Sequence, residues 1–392
     1  MKLRVKLSKC ICPILIGICA MTPNIWGQSV DYSSLGQSGA GMIHGSGAQG
    51  AKTIPTPNQL FSMPMQYLFG FPEQVMFGVL NKACSLLLAS NIKNVFITPK
   101  AEKMYYQLRT PCKSINVPLQ QPEELVNLPE FDVDKKVIMF LSGWATKGNE
   151  SHIQELANAY NCRGDYNFVY LNVADTIETL YIWSSYNTAE IGNLVADSLR
   201  KFTETVPVEN IHLIGLSFGA HVVGAVGRKY KELTGQSLPR ITGLDPANPC
   251  FNKGQAVSSL SRDDAAFVDI IHTNPGALGK ADSLGHVDFY VGGKGAIQPG
   301  CLQFSCSHLR SVDYYIESVY PGNEGNFMAK RCDSMQSFNG GLCDGPDHPM
   351  GYSTPLDAEG DHYLNVNLQR PYGINAPANA MDHSSHCGLC SS

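Results

Sequence analysis

Gly215-Leu216-Ser217-Phe218-Gly219 has the pattern Gly-x-Ser-x-Gly, whose chemistry is nucleophilic attack by a serine hydroxyl. Such a pentapeptide recurs by chance, so its flanks carry the argument. Ile211, Leu213 and Ile214 enter it as an apolar strand, and Ala220 and Val222 leave it as the start of a helix. A strand-to-helix turn this sharp strains the serine backbone and admits only small residues on either side. It also projects the hydroxyl at the carboxyl end of a sheet. The next helix N-terminus then offers partial positive charge where an oxyanion forms.

A serine hydroxyl is a poor nucleophile without a base. In this setting the chain order is serine, acid, histidine. Asp245 ends the strand Arg240–Leu244 and precedes Pro246, well placed to orient an imidazole. Asp269 and Asp288 lie in or beside apolar strand patterns and suit local backbone contacts or ion pairs. Among the histidines, His221 sits one turn past the serine and points away. His272 and His286 fall in or at the ends of strands. His308 lies in Cys306–Ser311, read as a loop just before a helix, and is the expected base. Two backbone N–H groups must hold the oxyanion. Phe218 is expected to supply one, and Trp144, after the strand Lys136–Leu141 and Gly143, the other.

The elements that must position these residues alternate along the chain. Strands are predicted at 95–97, 136–141, 167–173, 210–216, 240–244, 266–272 and 286–291. Helices are predicted at 71–90, 152–160, 189–203, 218–232 and 309–319. Such alternation implies an α/β fold, a mainly parallel sheet with helices on both faces. The tail after about 371 reads as irregular.

With 392 residues the chain suits one large α/β domain. A hydrophobic content of 43% excludes a disordered chain. A net charge of −5 gives no footprint for nucleic acid and no polybasic patch for anionic lipid. Lys2, Arg4, Lys6 and Lys9 precede the apolar run Cys10–Met21, which is too short to span a bilayer. Residues 1–27 are therefore read as a signal peptide, 28–63 as a flexible polar leader and 64–392 as the folded domain. No later segment reads as transmembrane, so the expected location is extracellular. Of 13 cysteines, Cys10, Cys12 and Cys19 leave with the signal, and the even remainder fits an oxidising compartment. Asn149-Glu150-Ser151 is a glycosylation sequon. His383, His386, Cys387 and Cys390 have a zinc-like look, but disulfides or free thiols suit a tail outside the cell better. No metal or cofactor is needed for the chemistry.

The words GLSFGAH (215–221), RITGLDPANP (240–249), FVDIIHT (267–273), GHVDFY (285–290) and CSHLRS (306–311) resemble the pancreatic-lipase family over about residues 93–370. The resemblance implies an α/β-hydrolase fold and a lipid-ester substrate at a lipid interface. It implies Ser217 as nucleophile, Asp245 as acid, His308 as base, and Trp144 and Phe218 as oxyanion donors. It also implies the pairs Cys301–Cys306 and Cys332–Cys343. The partners of Cys84, Cys112, Cys162, Cys250, Cys387 and Cys390 cannot be read from the sequence.

Three departures qualify the resemblance. Ser142 and Leu216 stand where many members have histidine. No C-terminal β-sandwich is read, so colipase is not an expected partner. Only Leu302 to Ser305 remain of the family's lid, and the 273–285 loop is short, which is similar to phospholipase A1 members from insects and venoms. The stretch Phe140–Gly143 and the polar leader also resemble the insect yolk proteins, a branch of the family without catalysis. Those proteins do not keep Ser217, Asp245 and His308 together, whereas this sequence does.

Overall fold

The run Val137–Leu141 is apolar without alternation because both faces of that strand are covered. The computed structural model describes residues 98–144, 148–173, 181–252, 259–377 and 386–390, together with Cys84. The chain divides into two compact units, 1–96 and 97–392. Of the first, only Cys84 is described, buried and helical. The expected signal segment, the leader, the strand 95–97 and the rest of the helix 71–90 lie outside the described residues.

The second unit is built on one sheet, with eleven strands among the described residues. They are β1 (Tyr105–Arg109), β2 (Ser114–Pro118), β3 (Lys136–Leu141), β4 (Tyr166–Asn172), β5 (Ile211–Leu216), β6 (Arg240–Leu244), β7 (Phe267–His272), β8 (Val287–Val291), β9 (Met328–Arg331), β10 (Asp347–Pro349) and β11 (Gly360–Leu364). The spatial order is β10-β9-β11-β8-β7-β6-β5-β3-β4-β1-β2. Pairing is parallel from β4 through β11 and antiparallel at both edges. The strands β1, β2, β9, β10 and β11, toward the two ends of the sheet, were not expected from the sequence. They are three to five residues long without a continuous apolar run, and pairing to neighbouring strands makes them strands.

Among the described residues four long helices cover the sheet: α1 (Ser151–Arg163), α2 (Thr188–Phe202), α3 (Phe218–Thr234) and α4 (Phe304–Val319). Ile138, Phe140, Ile214 and Leu216 share a core with Ile153 and Leu156 of α1 and Val312 and Ile316 of α4. Alternate strand residues face the other way, where α3 lies with α2 against it. The two helical layers therefore occupy opposite faces.

One sequence expectation changes. Helix α4 starts at Phe304, so His308 is on a helix and not in a loop before one. Residues 306–311 read as a loop, but the Cys301–Cys306 disulfide closes the turn that leads into the helix, and Ser307 N–H donates to Gln303 O at 3.2 Å. The irregular tail is cross-linked to the fold by Cys112–Cys390 and Cys162–Cys387. Cys387 and Cys390 are thus unavailable to a metal. The pair Cys332–Cys343 is present, and Cys84 and Cys250 are each disulfide-bonded. No helix among the described residues is long and apolar enough to cross a membrane.

Candidate active site

Ser217 sits between β5 and α3 with φ 81° and ψ −114°, a region that side-chain-bearing residues rarely enter. The flanking glycines explain the tightness. A Cβ on Gly215 would lie 2.5 Å from Ala220 Cα, and one on Gly219 would lie 2.3 Å from Leu141 O. The turn is also tied to the next strand. Ser217 N–H donates to Leu244 O at 2.9 Å, and Ala247 N–H donates to Ser217 O at 3.1 Å.

Asp245 follows β6 and is fully buried, with φ 42°. Its Oδ1 accepts from the N–H groups of Thr273 at 2.9 Å and Asn274 at 3.0 Å. Its Oδ2 lies 2.5 Å from His308 Nδ1. The other ring nitrogen, Nε2, lies 2.7 Å from Ser217 Oγ. With the carboxylate accepting at Nδ1–H, Nε2 is left as the acceptor for the serine proton. The described structure thus brings together all three expected residues, from the ends of β5 and β6 and from α4.

The rival residues have other partners. Asp269 is bound by Arg240 through both oxygens at 2.8 Å. Asp288 accepts from His272 Nε2 at 2.8 Å and from the N–H groups of Leu284 and Gly285 at 2.9 Å. His221 stacks on Phe251 and donates from Nε2 to Ala247 O at 2.7 Å. Burial pushes its imidazole down to about 3. His286 Nδ1 accepts from Val268 N–H at 3.0 Å.

Phe218 is the first residue of α3, and a helix's first amides have no acceptor within the helix. Gly143 lies against the nucleophile, since a Cβ there would be 3.3 Å from Ser217 Cβ. The ring of Trp144 meets Tyr181 edge-on at 5.4 Å. Ser142 turns toward α1, its Oγ 3.0 Å from His152 Nε2, and Leu216 is core. Asn149 is exposed just before α1. Leu302, between the half-cystines 301 and 306, is 96% exposed. Sequence reading missed Thr273, Asn274, Gly279 and Gln298 around the acid. Gly279 would put a Cβ 2.3 Å from Asp245 Oδ1, yet in sequence it is only one more turn glycine.

A parallel sheet of this order, with a strained serine after one central strand and helices on both faces, defines the α/β-hydrolase class. Within that class the chain belongs to the pancreatic-lipase family, since the family model described as Lipase matches residues 76–372. It is similar to Vitellogenin-1 of Ceratitis capitata, 36% identical over 60% of this chain and 54% of that one. Vitellogenin-3 of Drosophila melanogaster is 35% identical over 61% of this chain and 57% of that protein. Lipoprotein lipase of Homo sapiens is 35% identical over 56% and 51%. The chain thus spans about half the length of the curated relatives it matches.

Proposed function

We propose that the chain is a secreted lipid-ester hydrolase with Ser217, His308 and Asp245 as its catalytic triad and phospholipid as its preferred substrate, cleaved in the manner of a phospholipase A1. The observation that carries this reading is the continuous chain Ser217 Oγ–His308–Asp245, at 2.7 Å and 2.5 Å. His308 Nε2 takes the hydroxyl proton as Ser217 attacks the ester carbonyl. Asp245 steadies the imidazolium, and the Phe218 and Trp144 amides hold the oxyanion. The alcohol leaves with the proton from His308, and water then releases the fatty acid. No cofactor enters these steps.

The phospholipid preference rests on the residual lid. Leu302–Ser305 cannot form a hinged amphipathic helix, which needs several turns to be stable. The cleft then has less apolar wall for extra acyl chains, and a head group can stay in water while one chain enters. Secretion fits the disulfides, and Asn149 is the proposed glycan site. The vitellogenin relatives favour a second reading, a storage or lipid-carrying protein with an idle triad. Reaction with a fluorophosphonate probe separates the two. The parent is expected to be labelled and to hydrolyse a short-chain ester, and Ser217→Ala to do neither while staying folded, a loss of several powers of ten. An unlabelled, inactive parent would leave the storage reading standing.

A further inference from the structure

We propose that Gln298 is a positioning residue that sets the acid and the base of the triad relative to one another; this rests on the catalytic reading above. Gln298 is 1% exposed, although its amide is polar at both ends. Nε2 donates to Thr273 O at 2.9 Å and to Val291 O at 2.7 Å. Oε1 accepts from the Tyr314 hydroxyl at 3.2 Å. The backbone N–H donates to Ser307 Oγ at 2.9 Å. Two carbonyl neighbours can only accept, so they fix which end of the amide is nitrogen.

The partners are the levers of the site. Thr273 O and the N–H of Asn274 belong to one peptide plane and point in opposite directions across it. The same plane therefore receives Gln298 on one side and gives its N–H to Asp245 Oδ1, at 3.0 Å, on the other. Strands β7 and β8 pair as far as His272 and Tyr290. At the next residues Gln298 takes both carbonyls, Thr273 and Val291. It ends the ladder where the chain must turn its amides toward the acid. On the base side, Ser307 directly precedes His308, and Tyr314 lies on the same helix α4. One side chain and its own backbone thus tie the acid's donors to the base's helix. A residue that only filled space here would be apolar, because a buried amide is tolerated only when satisfied.

The test uses Gln298→Met, which keeps length and volume without the side-chain hydrogen bonds, and Tyr314→Phe, which removes only the contact to Oε1. The first readout is kcat and KM on a water-soluble butyrate ester. The second is the downfield proton resonance of the His308 Nδ1–H···Asp245 bond, read in a Ser217→Ala background so that no turnover is needed. Gln298→Met is expected to lower kcat about 10- to 100-fold with KM nearly unchanged, as expected of a small misplacement of reacting groups. The downfield proton should move upfield or broaden, and Tyr314→Phe should act in the same direction to a lesser degree. A folded Gln298→Met with a lower melting temperature but parental kcat and proton shift would show a structural role only and overturn the proposal. Should Gln298→Met not fold, Tyr314→Phe decides, and parental kcat and shift in it overturn the proposal equally. If the parent itself is inactive, the catalytic reading fails, and the resonance alone judges whether Gln298 holds the acid to the base.

Discussion

At the scale of single residues the site is built under steric compulsion. Ser217 is held at a positive φ that glycine would prefer, and the close approach of β3 to Gly219 leaves the turn no alternative path. Gly279 is the analogous residue for the acid. It lies against the Asp245 carboxylate, where a Cβ would be 2.3 Å from Oδ1 and 2.5 Å from Oδ2, and the loop there is closed by Gly279 N–H to Asn274 O at 3.1 Å. Gly279→Ala is therefore expected to push either the loop or the carboxylate away. Overpacking of this kind costs about 1–3 kcal/mol, and kcat on a soluble ester should fall at least about tenfold. Thermal melts and steady-state kinetics check both, and a variant with parental kcat would mean the loop yields without moving the acid.

At the scale of elements, the residual lid is the informative piece. Between Lys294 and Arg310 no Asp, Glu, Lys or Arg occurs, and Leu302, Ile297 at 47% and Leu309 at 42% exposure stand in solvent there. The disulfide Cys301–Cys306 holds Leu302 out with little conformational freedom. Leu302→Asp should weaken binding to phosphatidylcholine vesicles and slow hydrolysis of vesicle lipid several-fold, because an inserted side chain would lose its apolar transfer energy of about 2 kcal/mol. Hydrolysis of a soluble ester should not change. Equal loss on both substrates would place Leu302 in the site's support instead. The same short lid predicts faster hydrolysis of dispersed phosphatidylcholine than of emulsified triolein, without a rate jump above substrate solubility. A strong triolein preference with such a jump would return the chain to triacylglycerol lipolysis.

At the scale of the whole molecule, acid should destabilise the fold before the carboxylates titrate. Burial holds His221 neutral and pushes its folded-state value to about 3. His212 and His152 are lowered by the same cause. An unfolded histidine takes its proton near pH 6.5, so the unfolded state binds more protons below that value. The stabilisation is complete above about pH 6.5 and is withdrawn as pH falls toward the folded value. His221 alone withdraws about 2 kcal/mol by pH 5. Melting temperature followed by circular dichroism should drop between pH 7 and pH 5, and a flat profile would contradict the buried neutral state. The tail bonds Cys112–Cys390 and Cys162–Cys387 close loops of 278 and 225 residues in sequence separation. Replacing Cys387 and Cys390 with alanine should cost about 2–4 kcal/mol for each bond, read as a lower melting temperature with the triad intact.

The sequence by itself determined the elements and the chemistry that local pattern encodes. The apolar runs of β3, β5 and β6 and the small residues around Ser217 announce a strand–turn–helix with an activated serine. Chain order then leads to Asp245 and His308. These are legible because burial on both strand faces and a strained turn restrict residue types within a few positions. Only the tertiary structure decided what depends on partners far apart in sequence. His308 meets Ser217 across 91 residues, and Gln298 meets Thr273 across 25. The outer strands exist because neighbouring strands offer unpaired groups, and residues 386–390 of the tail are tied to the fold by cysteines more than 200 residues away. A hydrogen-bond or disulfide partner supplied by another element leaves no periodic trace in either segment, so neither the support of the acid nor the anchoring of the tail could be read before the chain was folded.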